Sequence, residues 1–227
     1  MLPLWAEVLF LIAAAWAVVT FLIAGRSRLA TVILIAWGSL HVLIASRGFY
    51  LVGDGIPPRV ALFFMPTVIV LLALLGTTRG RAWMGGCGLM ALTLVHPLRI
   101  LVEIVLHRAF LDGQLPQTMT FTGTNFDILS GLSAPIVLLY LMRSKQPSRM
   151  LLIAWNLVCL CLLLNVVVVA ALSVPSVMQQ LNIDHPNLLV LHAPYVLLPA
   201  LIVPVVLWSH VAALTSLLSR TSEPVRP

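Results

Sequence analysis

The stretch Met150–Leu172, MLLIAWNLVCLCLLLNVVVVAAL, decides the class of fold, because it runs for 23 residues without a charged side chain. An α-helix needs about 20 apolar residues to cross the hydrocarbon core of a bilayer. This length and composition predict a transmembrane helix. A membrane barrel would instead show short segments of alternating polarity, so we expect a helical fold.

The rest of the chain has the same character. Its residues are 61% hydrophobic and 9% charged, and the mean hydropathy is +1.08. A soluble core built from 227 residues has no room for so much apolar surface, so lipid is the expected solvent. The composition also excludes a nucleic-acid-binding protein, which would need a cluster of basic residues on a folded soluble face.

Six further apolar stretches predict a single bundle of seven transmembrane helices. The seven predicted spans are Pro3 to Ala24, Leu29 to Ser46, Val60 to Thr77, Trp83 to Leu106, Phe126 to Met142, Met150 to Leu172 and Asn187 to Leu218. The first carries Glu7 and has no basic residue before it, so we expect a retained helix and not a cleaved signal. Residues 1–218 are thus predicted to form one domain, and residues 219–227 a short polar cytoplasmic tail.

Basic residues predict the orientation, because Lys and Arg accumulate in cytoplasmic loops. One set of connections carries Arg26, Arg28, Arg79, Arg81, Arg143, Lys145 and Arg149, with Arg220 and Arg226 in the tail. The other set carries Arg47, Arg59 and Arg108 beside Asp54, Asp112 and Asp184. We therefore expect the N-terminus outside the cell and the C-terminus in the cytoplasm. The net charge of +6 fits this orientation and contact with anionic headgroups.

The fourth predicted span carries a polar stripe. His96, Arg99, Glu103 and His107 follow one another at steps of three, four and four residues, which places them on one face of a helix. Charged residues inside a span are costly and mark a functional site or a buried pair. Pro97 removes one backbone hydrogen bond, so a bend is expected beside His96.

The seventh predicted span is unusually long, at 32 residues. It contains Pro194, Pro199 and Pro204 after an initial Pro186. A helix longer than the bilayer requires is expected to tilt, to kink or to extend into the cytoplasm.

Polar groups from several spans are predicted at one depth, in the half of the membrane opposite the basic loops. The predicted ligand-binding residues are His96, Arg99, Glu103 and Asp127. Arg99 would hold an anionic group, Glu103 and Asp127 would set the charge and orientation of the ligand, and His96 could exchange a proton. Because the cytoplasmic half is less polar, the pattern favours an outward-facing pocket over an open channel.

The predicted function is therefore that of a polytopic membrane protein that binds or transports a small anionic or amphipathic molecule or a lipid. Membrane lipids are the expected partners. No motif identifies catalytic residues, an oligomeric state or an enzymatic activity.

Two alternatives stay open at the level of sequence. His41, His96 and His192 could lie at similar depths, and two imidazoles can hold a haem b iron, or a divalent metal could bind there. The protein would then be a membrane redox protein or a hydrolase. Otherwise Arg99 pairs with Glu103 or Asp127 only to hold helices together, and the protein is a ligand-free sensor or assembly partner.

Two stretches carry a family resemblance: Thr120–Pro135, TFTGTNFDILSGLSAP, and His185–Leu214, HPNLLVLHAPYVLLPALIVPVVLWSHVAAL. They resemble an uncharacterised family of bacterial multi-spanning, seven-helix membrane proteins of unknown function, and the resemblance extends over most of the chain. It implies a multi-pass protein of the bacterial cytoplasmic (inner) membrane. It implies no activity.

Overall fold

A computed structural model describes residues 2–53 and 55–219, which form helices and turns without a β-strand. The helices are α1 Leu4–Gly25, α2 Arg28–Ser46, α3 Ala61–Gly76, α4 Thr78–Gly85, α5 Leu89–Thr93, α6 Leu98–Leu111, α7 Ile128–Arg143, α8 Arg149–Ser173 and α9 Val203–Ser219. The predicted all-helical class is confirmed. Asp54 and nearly all of the predicted tail, including Arg220 and Arg226, lie outside the described residues.

Five helical stretches in the described residues are long and apolar enough to cross a membrane. They are α1, α2, the run from α5 to α6, α8, and the run Leu198–Ser219 that ends in α9. Each falls within or closely overlaps one of the predicted spans. The helices α3 and α4 pass the same test only as a pair, and α7 is a shorter apolar helix. These helices indicate a membrane protein.

The pair α3 and α4 is sharply bent, by 97° across a single residue, Thr77. The Thr77 hydroxyl oxygen accepts a hydrogen bond from the backbone N–H of Gly80 at 3.1 Å and so caps α4. A Cβ at Gly80 would collide with the backbone of Leu74, so only glycine fits this turn. As a result α4 runs nearly at right angles to α3.

The basic connections meet at one end of the bundle, which we call the basic end. There the indole N–H of Trp83 in α4 donates to the carbonyl of Gly25, at 2.8 Å, beside the turn between α1 and α2. At the start of α8, Arg149 donates to the carbonyl of Leu218 at the end of α9, at 3.2 Å. The opposite end holds the connections that follow α2, α6 and α8.

The centre of the bundle is formed by α5, α6 and α9, with α1 packed against them. In the apolar 18-residue stretch of α5–α6, and in that of Leu198–Ser219, 61% of residues are buried, compared with 22% in α2 and α8. Polar groups on α6 and α9 are therefore enclosed by protein, whereas α2 and α8 form part of the periphery.

The fourth predicted span is interrupted where the bend was expected. Helix α5 ends at Thr93 and α6 begins at Leu98, so His96 lies in the turn between them and Pro97 directly precedes α6. Proline has no N–H to donate to the preceding turn, which explains the break. The turn separates His96 from the helix that carries Arg99.

The seventh predicted span, for which a tilt, a kink or an extension was expected, is broken into several segments. The chain forms a 3-10 turn at Leu189–Leu191, further turns, a π-helical segment at Leu198–Ile202 and then α9. Pro194 and Pro199 lack the N–H groups that an α-helix would need at these positions. The helical part is thus 22 residues long, Leu198–Ser219, which matches a bilayer without the extension that was considered.

Candidate functional site

Three charged side chains are buried together where α6 meets the start of α7. Arg99 and Glu103 lie one turn apart on α6, and Asp127 immediately precedes α7. They are 3%, 2% and 5% exposed, respectively. The structure therefore brings together three of the four residues predicted to bind a ligand, in the half of the bundle away from the basic end.

Arg99 is held by contacts to two other helices. Its Nε lies 3.0 Å from Oδ2 of Asp127, but the N–H is poorly aligned with that oxygen, so the contact is an ion pair without a good hydrogen bond. Its Nη2 donates to the carbonyl of Cys159 in α8, at 3.4 Å. Arg99 thus ties α6 to both α7 and α8.

Asn125 organises the two carboxylates. Its Nδ2 donates to Oε1 of Glu103 at 2.6 Å and to the carbonyl of Met119 at 3.0 Å, while its Oδ1 accepts from the N–H of Asp127 at 3.0 Å. The last bond is a local turn that the spacing of two residues could have suggested. No sequence pattern links Asn125 to Glu103, which lie 22 residues apart, so the sequence does not predict this contact.

A glycine lets α6 and α7 approach closely at this point. A Cβ at Gly131 would lie 2.8 Å from Cγ1 of Ile100 and 3.3 Å from the Cβ of Arg99. The absence of a side chain at Gly131 therefore permits the contact between Arg99 and Asp127.

Each of the three charged side chains has a polar atom without a hydrogen-bond partner among the described residues. These atoms are Nη1 of Arg99, Oε2 of Glu103 and Oδ1 of Asp127, together with the Nε of Arg99 that faces Asp127, and all are buried. A buried donor or acceptor without a partner costs about 1–3 kcal/mol, and more when it is charged. Such a cluster indicates a place where water or a polar group of a ligand binds.

The charged cluster borders a cavity that is otherwise almost entirely apolar. The cavity encloses about 760 Å³ of empty space, part of it open to the surroundings, but the centre of a water-sized sphere fits in only about 70 Å³ of it. At about 15 Å³ per site, that is room for roughly five waters. Its apolar walls include Phe63, Phe64, Val102, Leu163, Val166, Val167, Ala170, Ile202 and Val206.

The cavity lies between α3 and α8 at the side of the bundle. Helix α3 packs against α4, α9 and the π-helical segment, whereas α8 packs against α7, α9 and Gln117–Met119. Neither helix has the other among its main neighbours in the described part of the chain. Half-buried side chains such as Val166 and Ala170 line the space between them. The cavity therefore borders the lateral, lipid-facing surface.

His96 belongs to a second buried cluster and does not line the cavity. Its ring stacks on His210 in α9, with centroids 4.2 Å apart, and its Nε2 lies 3.4 Å from the hydroxyl of Ser209. Nδ1 of His210 is 3.0 Å from Oδ1 of Asn156 in α8. The sequence assigns no role to His210, which lies near the end of the seventh predicted span.

The three histidines considered for haem or metal occupy different surroundings. His41 is buried, with its Nδ1 2.6 Å from the hydroxyl of Tyr50, whereas His192 is exposed and lines a surface pocket that Glu7 also borders, at the opposite end from the basic one. Burial raises the pKa of Tyr50, so its hydroxyl stays protonated, and the tautomer of His41 decides which of the two groups donates. Residues 2–53 and 55–219 contain no group of three or more His, Cys, Asp or Glu placed to hold a metal. Binding of haem by two of these histidines stays a prediction.

Fold and site together define the class: an all-helical membrane protein with a buried charged cluster beside an apolar cavity. Residues 79–218 match a family described as a domain of unknown function, DUF8737. The match covers more than half of the 227-residue chain, so the protein belongs to this family. The matched region contains Arg99, Glu103, Asn125 and Asp127. No curated protein and no solved structure matches the chain.

Proposed function

We propose that the protein binds, and as a transporter would carry, a small amphipathic molecule or lipid in the cavity between α3 and α8. The observation that supports this proposal is the cavity itself, in which apolar walls end at three buried charged side chains with unpartnered polar atoms. The apolar part of the ligand would lie along Val166, Val167 and Ala170. Its polar end would meet Arg99, Glu103 and Asp127.

The lateral position of the cavity supports a ligand that dissolves in the membrane. A water-soluble substrate would need a polar route from one end of the bundle, whereas the residues between α3 and α8 are apolar. A molecule with a hydrocarbon chain can enter from the surrounding lipid and bury that chain without leaving an apolar environment. Only its polar end then needs hydrogen bonds or opposite charges from groups of the protein.

We infer that the chain crosses the membrane seven times, with α3 and α7 as the two short spans, the N-terminus outside and the C-terminus in the cytoplasm. The contacts at the basic end support this topology, because they place the turn between α1 and α2, α4 and the start of α8 together. Positively charged connections favour the cytoplasmic side. The resemblance to bacterial multi-spanning proteins favours the bacterial inner membrane.

The test compares two substitutions on neighbouring positions of α8. Ala170→Phe places a ring in the cavity, whereas Val168→Phe places it on the exposed face, where Val168 is 54% exposed. Native mass spectrometry of protein extracted from its own membranes would give the intact mass of each variant. We expect an organic or lipid mass on the unmodified chain and on V168F, and its loss from A170F.

A bare mass for the unmodified chain would contradict the proposal, as would equal retention by both phenylalanine variants. A haem or metal mass would favour the redox or hydrolase alternative instead. If no ligand were bound, the result would favour the alternative that the protein is a sensor or an assembly partner.

A further inference from the structure

We infer that the cavity selects an amphiphile whose polar end donates hydrogen bonds and carries a positive charge, such as the primary ammonium of a long-chain amine. An anionic head is disfavoured. This inference rests on the proposed function, because it names the chemical class of the ligand for the same cavity. It is carried by the balance of charge and by the balance of donors and acceptors at the polar end.

The charge balance at the polar end is negative. Arg99, Glu103 and Asp127 are the only charged residues among the described ones that line the cavity. With both carboxyl groups ionised, one cation and two carboxylates sum to a formal charge of −1, enclosed by apolar walls. A net charge in such surroundings is costly unless it is paired. A carboxylate ligand would change the net charge of the cluster to −2, whereas an ammonium would bring it to zero.

Two of the three nitrogens of the Arg99 guanidinium already contact other groups of the protein. Its Nε already faces Asp127 at 3.0 Å and its Nη2 donates to a carbonyl of α8, which leaves Nη1 as the free donor group. The sequence predicts an anionic ligand for Arg99, with pairing to Glu103 or Asp127 as the alternative, and in the structure Asp127 occupies this position. A carboxylate ligand would have to compete with Asp127 for the same cation.

The hydrogen-bonding balance points the same way. The atoms without a hydrogen bond are two acceptors, Oε2 of Glu103 and Oδ1 of Asp127, and two donor groups of Arg99, namely Nη1 and the Nε that faces Asp127 as an ion pair. A carboxylate or phosphate can only accept, so it would leave both carboxylate oxygens without partners. An ammonium offers three donors and can serve both oxygens, while one of the few waters that fit the cavity can serve Nη1.

The test uses three probes with the same 12-carbon chain and different heads: dodecylamine, 1-dodecanol and dodecanoate. Each is added at the same concentration to the full-length protein at pH 7, and native mass spectrometry measures the fraction of chains that carry it. The A170F variant measures binding outside the cavity for every probe. We expect dodecylamine to occupy the cavity at least about tenfold more tightly than dodecanoate, which is the ratio that one charged hydrogen bond supplies.

A second comparison removes a carboxylate charge. Glu103→Gln and Asp127→Asn should each reduce the preference for dodecylamine over dodecanoate, whereas Asp112→Asn, which changes an exposed carboxylate outside the cavity, should leave it intact. The head-group comparison on the unmodified chain needs no variant, so misfolding of E103Q or D127N would not prevent the test.

The outcomes separate the two proposals. Tighter binding of dodecanoate, or equal binding of all three probes that A170F abolishes, would overturn the inference about the head group and leave the proposed function standing. If no probe bound the unmodified chain more than A170F, the proposed function itself would fail.

Discussion

At the scale of single residues, the site depends on buried charge that is only partly neutralised. Arg99 faces Asp127 directly, whereas Glu103 is supported by a neutral amide, that of Asn125. Removing one member of a buried ion pair exposes the other to the full cost of burial in an apolar environment. Substitutions at these positions should therefore have larger effects on stability than similar substitutions at the surface.

Arg99→Met should destabilise the protein strongly. The substitution leaves Glu103 and Asp127 buried without a cation, and we expect a loss of about 3–5 kcal/mol in the free energy of unfolding, measured in mixed micelles. Arg143→Met is the matched control, because Arg143 is exposed in the last turn of α7 and its loss should cost less than about 1 kcal/mol. Equal losses for the two variants would show that the cluster contributes nothing specific.

Asn125→Asp should also destabilise the protein, although it changes only one atom of the side chain. The new carboxylate cannot donate to Glu103 and adds a third negative charge near Arg99. We expect a loss of at least about 2 kcal/mol. Asn165→Asp is the control, because Asn165 is an exposed residue that donates to the carbonyl of Thr124. Chemical denaturation would give the free energy of unfolding of both variants. A smaller loss of this free energy for N125D than for N165D would contradict the role given to Asn125.

At the scale of helices, much of the arrangement follows from chain chemistry that sequence makes visible. The apolar runs predicted α1, α2 and α8 to within two residues at each end, because long uninterrupted hydrophobic segments leave few alternatives. The prolines predicted the break beside His96. They did not predict the π-helical segment at Leu198–Ile202, since proline shows where an α-helix fails and not which structure replaces it.

Gly131→Ala should push α6 away from α7. The added methyl group would lie 2.8 Å from Ile100 and 3.3 Å from the Cβ of Arg99, so the helices have to separate and the contact with Asp127 weakens. We expect a loss of about 1–3 kcal/mol in the free energy of unfolding, together with loss of the retained ligand mass.

Gly76→Ala is the control for this substitution, because nothing lies within 4 Å of a Cβ at that position. It should leave stability and ligand retention close to those of the unmodified protein. If Gly131→Ala behaved in the same way, close packing of α6 on α7 would not be needed to form the site.

At the scale of the whole molecule, the basic end and the charged cluster lie in opposite halves of the bundle. This separation follows from the chain path, since α7 begins next to Asp127 and ends at Arg143. Sequence reasoning found Arg99, Glu103 and Asp127 because buried charge is rare in apolar segments. It could not place His96 with His210, because that contact depends on how α9 is rotated against the break before α6.

The proposed orientation predicts which positions a membrane-impermeant maleimide can reach in intact cells. Lys145→Cys lies between α7 and α8, on the basic side, and Gln180→Cys lies in the connection that follows α8. Both side chains are exposed. We expect only Q180C to be labelled in intact cells and both variants after permeabilisation, in a chain whose three native cysteines have been replaced. Labelling of K145C alone in intact cells would show that the orientation is the reverse of the proposed one.

The two helices proposed as short spans, α3 and α7, have a consequence for the surrounding bilayer. Helices α3 and α7 contain 16 residues each, which corresponds to about 24 Å of helix, whereas the hydrocarbon core of a bilayer is about 30 Å thick. In the proposed topology, the bilayer beside these helices is expected to be thinner than average. Because α3 also borders the cavity, short-chain lipids should gather on the side from which a ligand would enter.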